Sequence, residues 1–427
     1  MKLSHLLSHL RFSILCLLWL CACGKGSDHV TITLWHGQGE GSSAESVMLQ
    51  IATSFAQQNP DVTVNPTMGR APETMLPELN SLVATTRLPD ICYIFGTDTP
   101  NIVASRRVVD LTDATKDPAF AWQDFQAPGR LAATLNGRVI GITSVIDNLA
   151  LVYNRTLFAQ AGVPEPTASW TWDDYRNAAK ALTTSTVWGG VYPTSGQEDT
   201  VWRFWPMVWQ QNGKTLSDDS QRATFTTPEF LRALELLRAM AIEDRSMLLD
   251  PIAGDTSVQF ANGLVAMHIT GPWDLSSFES LDIGVAALPA FGESHETISG
   301  ADNWIVFNND VDRVDASIRF LKFLTEPAQD ALWSVEQGNL PVRMATEQTE
   351  AWKEVLAGSP GLQEFADNFG RIQHTRPQTV VYPAYSSALG AAIVAVLSGE
   401  KTTAEALQQA NDVANAALSA ANTPVRR

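Results

Sequence analysis

The segment from Val30 to Val64 restricts the possible fold more than any other part of the chain. Val30-Thr31-Ile32-Thr33-Leu34-Trp35 is an alternating, β-branched run that stops at a glycine-rich turn, His36-Gly37-Gln38-Gly39-Glu40-Gly41. Behind the turn, Ala44, Val47, Met48, Ile51, Ala52 and Phe55 recur at i, i+3, i+4 spacing up to Asn59-Pro60, and Val62-Thr63-Val64 resumes the strand pattern. Strand, loop, helix, strand is a βαβ unit, because parallel strands need a long crossover and a helix supplies it. The first part of the chain is therefore α/β with a parallel sheet, and such sheets bind ligands beyond the carboxyl ends of their strands. The turn sits at such an end. It lacks the Lys-Ser/Thr of a P-loop, has the wrong spacing for a dinucleotide fingerprint, and carries Glu40, which repels phosphate.

A chain of 427 residues is too long for one ordinary core, so two lobes are expected. Further buried-strand patterns lie at Asp90–Phe95, Gly137–Ile142, Leu149–Tyr153, Val265–Ile269, Ile283–Val285 and Trp304–Phe307. Helical patterns open at Trp172 and run to Leu182, and occupy Ile318–Leu324 and Thr402–Leu418, the last with the capping box Thr402-x-x-Glu405. Leu231, Leu234 and Leu237 stripe a helix from Pro228 to Ala241, for which Thr227 is the expected N-cap.

The N-terminus reads as an export signal. Lys2 and Arg11 precede the apolar run Phe12–Ala22, which is shorter than the roughly 20 residues a permanent span needs. The run ends in Leu20-Cys21-Ala22-Cys23, which resembles a bacterial lipobox with Cys23 as the lipidated residue; Cys21 fits less well because Leu20 precedes it. Residues 1–23 are then a lipoprotein signal peptide and 24–29 a tether, with a plain secretory signal as the alternative reading. Cys16 and Cys21 leave with the leader and Cys23 is acylated, so Cys92 has no partner for a disulfide and is expected as a packed thiol. The leader carries Lys2 and Arg11 and no acid, which leaves 27 of the 29 basic residues against 46 acidic ones, a net charge of −19. That balance disfavours nucleic acid and anionic lipid as partners.

Several collinear motifs resemble the extracellular solute-binding family that includes the maltose-binding proteins of ABC importers. They are Ile32–Trp35, Asn59-Pro60-Asp61-Val62, Leu88-Pro89-Asp90-Ile91, Gly137–Gly141 with Leu149–Arg155, Trp170–Asp174, Phe260–Met267 with Gly271-Pro272-Trp273, and Phe320–Thr325 with Leu340–Arg343. The resemblance covers nearly the whole chain beyond the leader. It implies a two-lobed periplasmic-binding-protein fold with a ligand cleft between the lobes and three hinge crossings, near 143–147, 300–303 and 339–343. Lobe 1 would comprise 30–144 and 302–339, and lobe 2 145–301 and 340–427. The implied role is capture of a small carbohydrate, mono- or oligosaccharide, and delivery to the membrane subunits of an ABC permease. The protein would be a monomer held at the cell membrane or in the periplasm by a lipid anchor, with no cofactor or metal.

Residue by residue, the resemblance implies an aromatic platform at Trp273 and an aromatic segment at Trp202 and Trp205. It implies an acidic hinge residue at Asp147 and polar contacts at Thr97 and Asp98. It also implies first-loop contacts at His36 and Gln38, second-crossing contacts at Asp302 and Asn303, and C-terminal contacts at Arg376 and Tyr382. These types suit a sugar, because an aromatic ring covers the C–H face while carboxylates and amides bond the belt of hydroxyls. Each tryptophan is equally a candidate for core packing, and 12 of the 13 lie beyond the leader. The first loop lacks the charged pair of maltose-binding protein, and the strand after Pro89-Asp90 ends without its tryptophan, so the ligand is expected to differ from maltose.

Two other readings stay open. Arg376 suits the phosphate of glycerol-phosphate or a glycerophosphodiester through paired bonds. A secreted glycan-active enzyme would need two placed carboxylates, but no motif marks a pair. There is no Gly-x-Ser-x-Gly elbow, and beyond the leader no His-x-x-x-His pair that would suggest zinc.

Overall fold

The computed structural model describes residues 29–67, 72–85, 87–252 and 255–422; the expected signal peptide and Cys23 lie outside them. The early strands are β1 (Val30–Trp35), β2 (Val62–Thr67), β3 (Ile91–Ile94), β4 (Thr134–Leu135), β5 (Arg138–Val139) and β6 (Ile142–Val145). They are followed by β7 (Ala150–Asn154), β8 (Trp188–Pro193), β9 (Met247–Asp250), β10 (Val265–Thr270), β11 (Ile283–Ala286) and β12 (Asp302–Val306). Two five-stranded sheets result, ordered β2-β1-β3-β12-β6 and β11-β7-β10-β8-β9.

The opening βαβ unit is present, with β1 parallel to both β2 and β3. Its helix, Ser43–Gln58, starts where the Ser42 hydroxyl accepts the Glu45 amide at 3.1 Å, and it buries Ala44, Met48, Ile51, Ala52 and Phe55 against the sheet. The first sheet is mixed rather than all parallel, since β12 runs antiparallel to β3 and β6. The reason is that β12 enters from the other sheet instead of through a local helical crossover.

Local chemistry accounts for the other departures from expectation. Residues 137–142 do not form one strand. Asn136 and Gly137 both take positive φ, making a two-residue hairpin turn that pairs β4 with β5, and the chain rejoins the sheet only at Ile142. Thr227 takes the N-cap backbone, but its hydroxyl is buried without a partner and caps nothing; Pro228 starts the helix without it. The helix expected to run to Ala241 ends at Arg238 and continues as one wide turn over Ala239–Glu243. At Thr402 the capping box forms as expected, with Glu405 and Thr402 bonding each other's backbone amides. Asp90 of the Pro89-Asp90 motif is a structural fastener. It accepts the Thr33 amide and hydroxyl and the Asn309 side-chain amide, and it pairs with Arg313, so it ties β1 to the helix Val311–Leu324.

Three segments run side by side where the chain passes between the sheets. Ile146 pairs with Leu340, and Asn148 pairs with Ser299. The core follows the two sheets. One cluster gathers Ile32, Leu34, Phe55, Trp304 and Phe320, and the other Leu151, Met267, Trp172, Trp205 and Phe230. Among the tryptophans, 172, 202, 205, 209, 304, 333 and 352 are buried, so most serve packing. Cys92 is buried and unpaired, and burial pushes its thiol well up, which leaves it inert.

Candidate ligand cavity

A cavity of about 400 Å³ opens between the two sheets beside the three crossing segments. From the first sheet it receives Tyr93 and Phe95 at the end of β3, Val145 at the end of β6, and Asp302 at the start of β12. Facing them are Gln197, Glu198, Asp199 and Trp202 from the helix Glu198–Trp202 and the residue before it, with Trp273 from the turn after β10. Asp147, Gly300, Gln337, Asn339 and Arg376 complete the wall. The carboxyl ends of strands β3, β6 and β10 thus converge where open α/β sheets place their ligands.

The charged centre is tightly held. Tyr93 donates its phenol proton to Asp302 Oδ2 at 2.5 Å, and the Gly96 amide donates to Oδ1 at 3.0 Å. Arg376 lies 3.3 Å from Glu198 Oε1 and 3.8 Å from Asp302 Oδ1, with its guanidinium 4.6 Å above the Trp202 ring. Tyr382 donates to Glu198 at 2.8 Å, and Ser386 donates to the other carboxylate oxygen at 2.5 Å. Burial raises Asp302 to about 6, against the pull of Arg376. Burial likewise raises Asp98 to about 7, with Arg376 again opposing. Asp147 is pushed well above the usual carboxylate range by desolvation and by the Asp302 charge.

Polar atoms are also waiting for partners. Asp199 Oδ2, Gln337 Nε2 and Asn339 Oδ1 are buried on this wall without a hydrogen bond. Buried polar groups are bonded in the great majority of cases, so two acceptors and one donor left without partners among the lining residues set this cavity apart from a packed core.

Of the residues singled out in the sequence, Asp147, Trp202, Trp273, Asp302 and Arg376 line this cavity. Thr97 lines a smaller space of about 20 Å³ beside Arg376 and Ser299, room for about one water. Asp98 faces the same charges as N-cap of the helix Thr99–Val103, although its carboxylate caps no amide. Trp205 and Tyr382 stand one layer back: Trp205 Nε1 donates to the Tyr382 oxygen at 3.3 Å, and Tyr382 holds Glu198. Gln38 is also one layer back, bonding Gln337 at 2.7 Å. Two residues are placed elsewhere. His36 is fully buried, accepts the Gln38 amide on Nδ1, and is held below its ordinary pKa by burial, with Glu45 opposing. Asn303 donates to Thr99 and to the Ala132 carbonyl inside the first half, because successive side chains of a strand leave on opposite faces and Asp302 takes the cavity side.

The sequence reading passed over Tyr93, Phe95, Gln197, Glu198, Asp199 and Gln337. The run Gln197-Glu198-Asp199 just ahead of Trp202 was the one local signal for them. Gly300 was named only as a crossing, but its lack of a side chain shapes the cavity. A Cβ there collides with Asp147 Oδ1 and lies 2.8 Å from Trp202 Cη2. Gly300→Ala is expected to weaken ligand binding about 5- to 150-fold, from an overpacking cost of about 1–3 kcal/mol. Calorimetric titration checks it; unchanged affinity would show that Asp147 and Trp202 do not contact the ligand.

Two α/β layers that share a polar, aromatic-walled cavity beside three crossing segments define a two-lobed binding protein. Residues 50–357 match the bacterial extracellular solute-binding proteins, and the chain belongs to that family. It is similar to the cyclic alpha-maltosyl-1,6-maltose binding protein of Arthrobacter globiformis, with 26% identity and a TM-score of 0.80 over 92% of this chain and 99% of that one. UgpB from Mycobacterium tuberculosis, solved in complex with glycerophosphocholine, shares the fold with a TM-score of 0.82 over 92% of this chain and 100% of that one, at 17% identity. The sn-glycerol-3-phosphate-binding periplasmic protein UgpB of Salmonella typhimurium is 23% identical over 93% of this chain and 95% of its own length. Among the described residues no helix is long and apolar enough to cross a membrane, and no cluster of three or more His, Cys, Asp or Glu is placed to hold a metal ion.

Proposed function

We propose that this chain is the substrate-binding component of an ABC importer, capturing a small carbohydrate in the cavity and handing it to the permease without chemical change. The observation that carries this reading is the pairing of aromatic side chains, Trp202, Trp273 and Phe95, with unpartnered polar atoms of Asp199, Gln337 and Asn339 around one cavity. A pyranose has matching apolar and hydroxyl surfaces. The sugar named for the Arthrobacter globiformis neighbour points the same way.

The name of the Salmonella relative favours glycerol-phosphate instead. Against it, Arg376 is the one cation lining the cavity among the described residues and already faces Glu198 and Asp302, so a phosphate would have to displace carboxylates to reach it.

The lobes in this proposal are 30–144 with 302–339, and 145–301 with 340–427, closing about the crossings. Arg343 pairs with Asp124 and Glu347 accepts from Gln126, so this part of the second lobe stays in contact with the first. Ligand favours the closed form only through contacts made to both lobes. Cys23 carries the lipid that keeps the protein at the membrane.

A thermal-shift screen of the form starting at Ser27 tests the reading. Mono-, di- or oligosaccharides are expected to raise the melting temperature, since a ligand that binds only the folded state stabilises it. A rise with glycerol-phosphate esters alone would replace the carbohydrate by the phosphate reading. No rise with either, together with turnover of a glycan, would overturn transport.

A further inference from the structure

The charges around the cavity do not balance. Asp147, Glu198, Asp199 and Asp302 line it, and Asp98 stands within reach of the same field. Arg376 is shared between Glu198 and Asp302, and Arg203 turns away to pair with Asp199 and to bond the Ile269 carbonyl. Asp147 accepts only the Gly300 amide, at 3.0 Å, and among the described residues no cation lies within ion-pair distance of it. Asp199, which lines the same cavity, keeps one carboxylate oxygen unbonded. Five carboxylates therefore surround this space with two guanidinium groups to meet them.

Carboxylates crowded into a partly buried space are costly unless a cation joins them. The aromatic walls add to the same preference. The Arg376 guanidinium already lies over the Trp202 ring, so a ring of this cavity accommodates positive charge as it stands. Trp273, Phe95 and Tyr93 offer further faces.

Building on the carbohydrate reading above, we infer that the ligand is a cationic sugar, an amino sugar whose protonated amine is held by Asp147 while Trp202 and Trp273 flank its ring. Asp147 is the chosen partner because it is a lining carboxylate with no side-chain cation at ion-pair distance among the described residues, although the Arg376 charge still acts on it. The protonation behaviour is consistent: desolvation and the Asp302 charge hold Asp147 well above its usual range, a cost that a neighbouring ammonium removes. An anionic sugar or a phosphate ester meets the opposite field.

Calorimetric titration of the protein against matched amine, hydroxyl and N-acetyl forms of the common hexoses and their disaccharides tests this, with glycerol 3-phosphate and glycerophosphocholine alongside. The amine form is expected to bind at least tenfold tighter than its hydroxyl partner. That preference should shrink as salt is raised and vanish in Asp147→Asn, whose folding is checked by its melting curve. If Asp147→Asn fails to fold, the salt series on the parent protein decides. A neutral or acetylated form that binds as tightly as the amine overturns the cationic assignment and leaves the carbohydrate reading standing. Binding by glycerol 3-phosphate alone, or by nothing in the panel, overturns both, whereas binding by glycerophosphocholine alone overturns the sugar and leaves a cation-binding cavity.

Discussion

Trp273→Ala is expected to weaken sugar binding about 30-fold, roughly 2 kcal/mol, the loss typical of a truncated aromatic anchor at the centre of an interface. The side chain is held ready before any ligand arrives. Its ring lies back over Gly271, where a Cβ would collide with it, and Gly338 takes φ +63 directly beneath its Cα. The next residue, Asp274, anchors the turn by accepting the Ser257 and Thr270 hydroxyls. A platform fixed in this way loses little freedom on binding, so its area converts into affinity. The ring is only half-buried, and the melting temperature without ligand should fall slightly. Titration calorimetry and melting curves on the same variant separate the two effects. A variant that melts normally and binds normally would move the platform to Trp202 or Phe95.

Arg376→Met should act on the protein itself. Methionine fills the space but leaves Glu198 and Asp302 without their cation, a change that costs about 3 kcal/mol when one partner of a buried pair is removed. The loss has a pH signature. Asp302 at about 6 and Asp98 at about 7 both have folded pKa values above their unfolded ones. A raised carboxyl stabilises the fold at acidic pH, and that contribution is lost as pH rises through the folded pKa, here between about 4 and 7. Arg376 holds both groups lower than burial alone would. Without it they rise further, and the deficit of the variant against its parent should be smaller at pH 5 than at pH 8 by the share that Asp302 and Asp98 carry. Urea unfolding at the two pH values measures it. An equal deficit at both would mean that Arg376 contributes through packing on Trp202 rather than through charge.

The elements were legible because their signals are local. Alternation over 30–35, the i, i+3, i+4 stripe of Met48, Ile51 and Phe55, and the cap at Thr402 each depend on neighbours a few residues away. The sites of misreading were equally local in cause. The strand drawn across 137–142 ignored that Asn136-Gly137 is a hairpin turn, and the cap assigned to Thr227 was made unnecessary by Pro228. Trp273 was visible because Gly271-Pro272-Trp273 is a compact motif.

Glu198, Asp199 and Gln337 had no comparable mark. In a chain with 46 acidic residues, a carboxylate at a helix start reads as surface charge. Only the packing of the helix Tyr382–Leu397 against the helix Glu198–Trp202 brings Tyr382, Ser386 and Arg376 onto one carboxylate from nearly two hundred residues away. Asp302 and Asn303, adjacent and chemically similar, could not be told apart until the strand's place in the sheet assigned one to the cavity and the other to the interior. By itself, then, the sequence determined the α/β layers and their order, since hydrophobic periodicity and turn chemistry act over a few residues; Trp273 was marked by the resemblance of its motif, and the structure puts it on the cavity wall. Tertiary structure alone decided which charges meet, because electrostatic pairing and desolvation depend on distances in space that no spacing along the chain encodes.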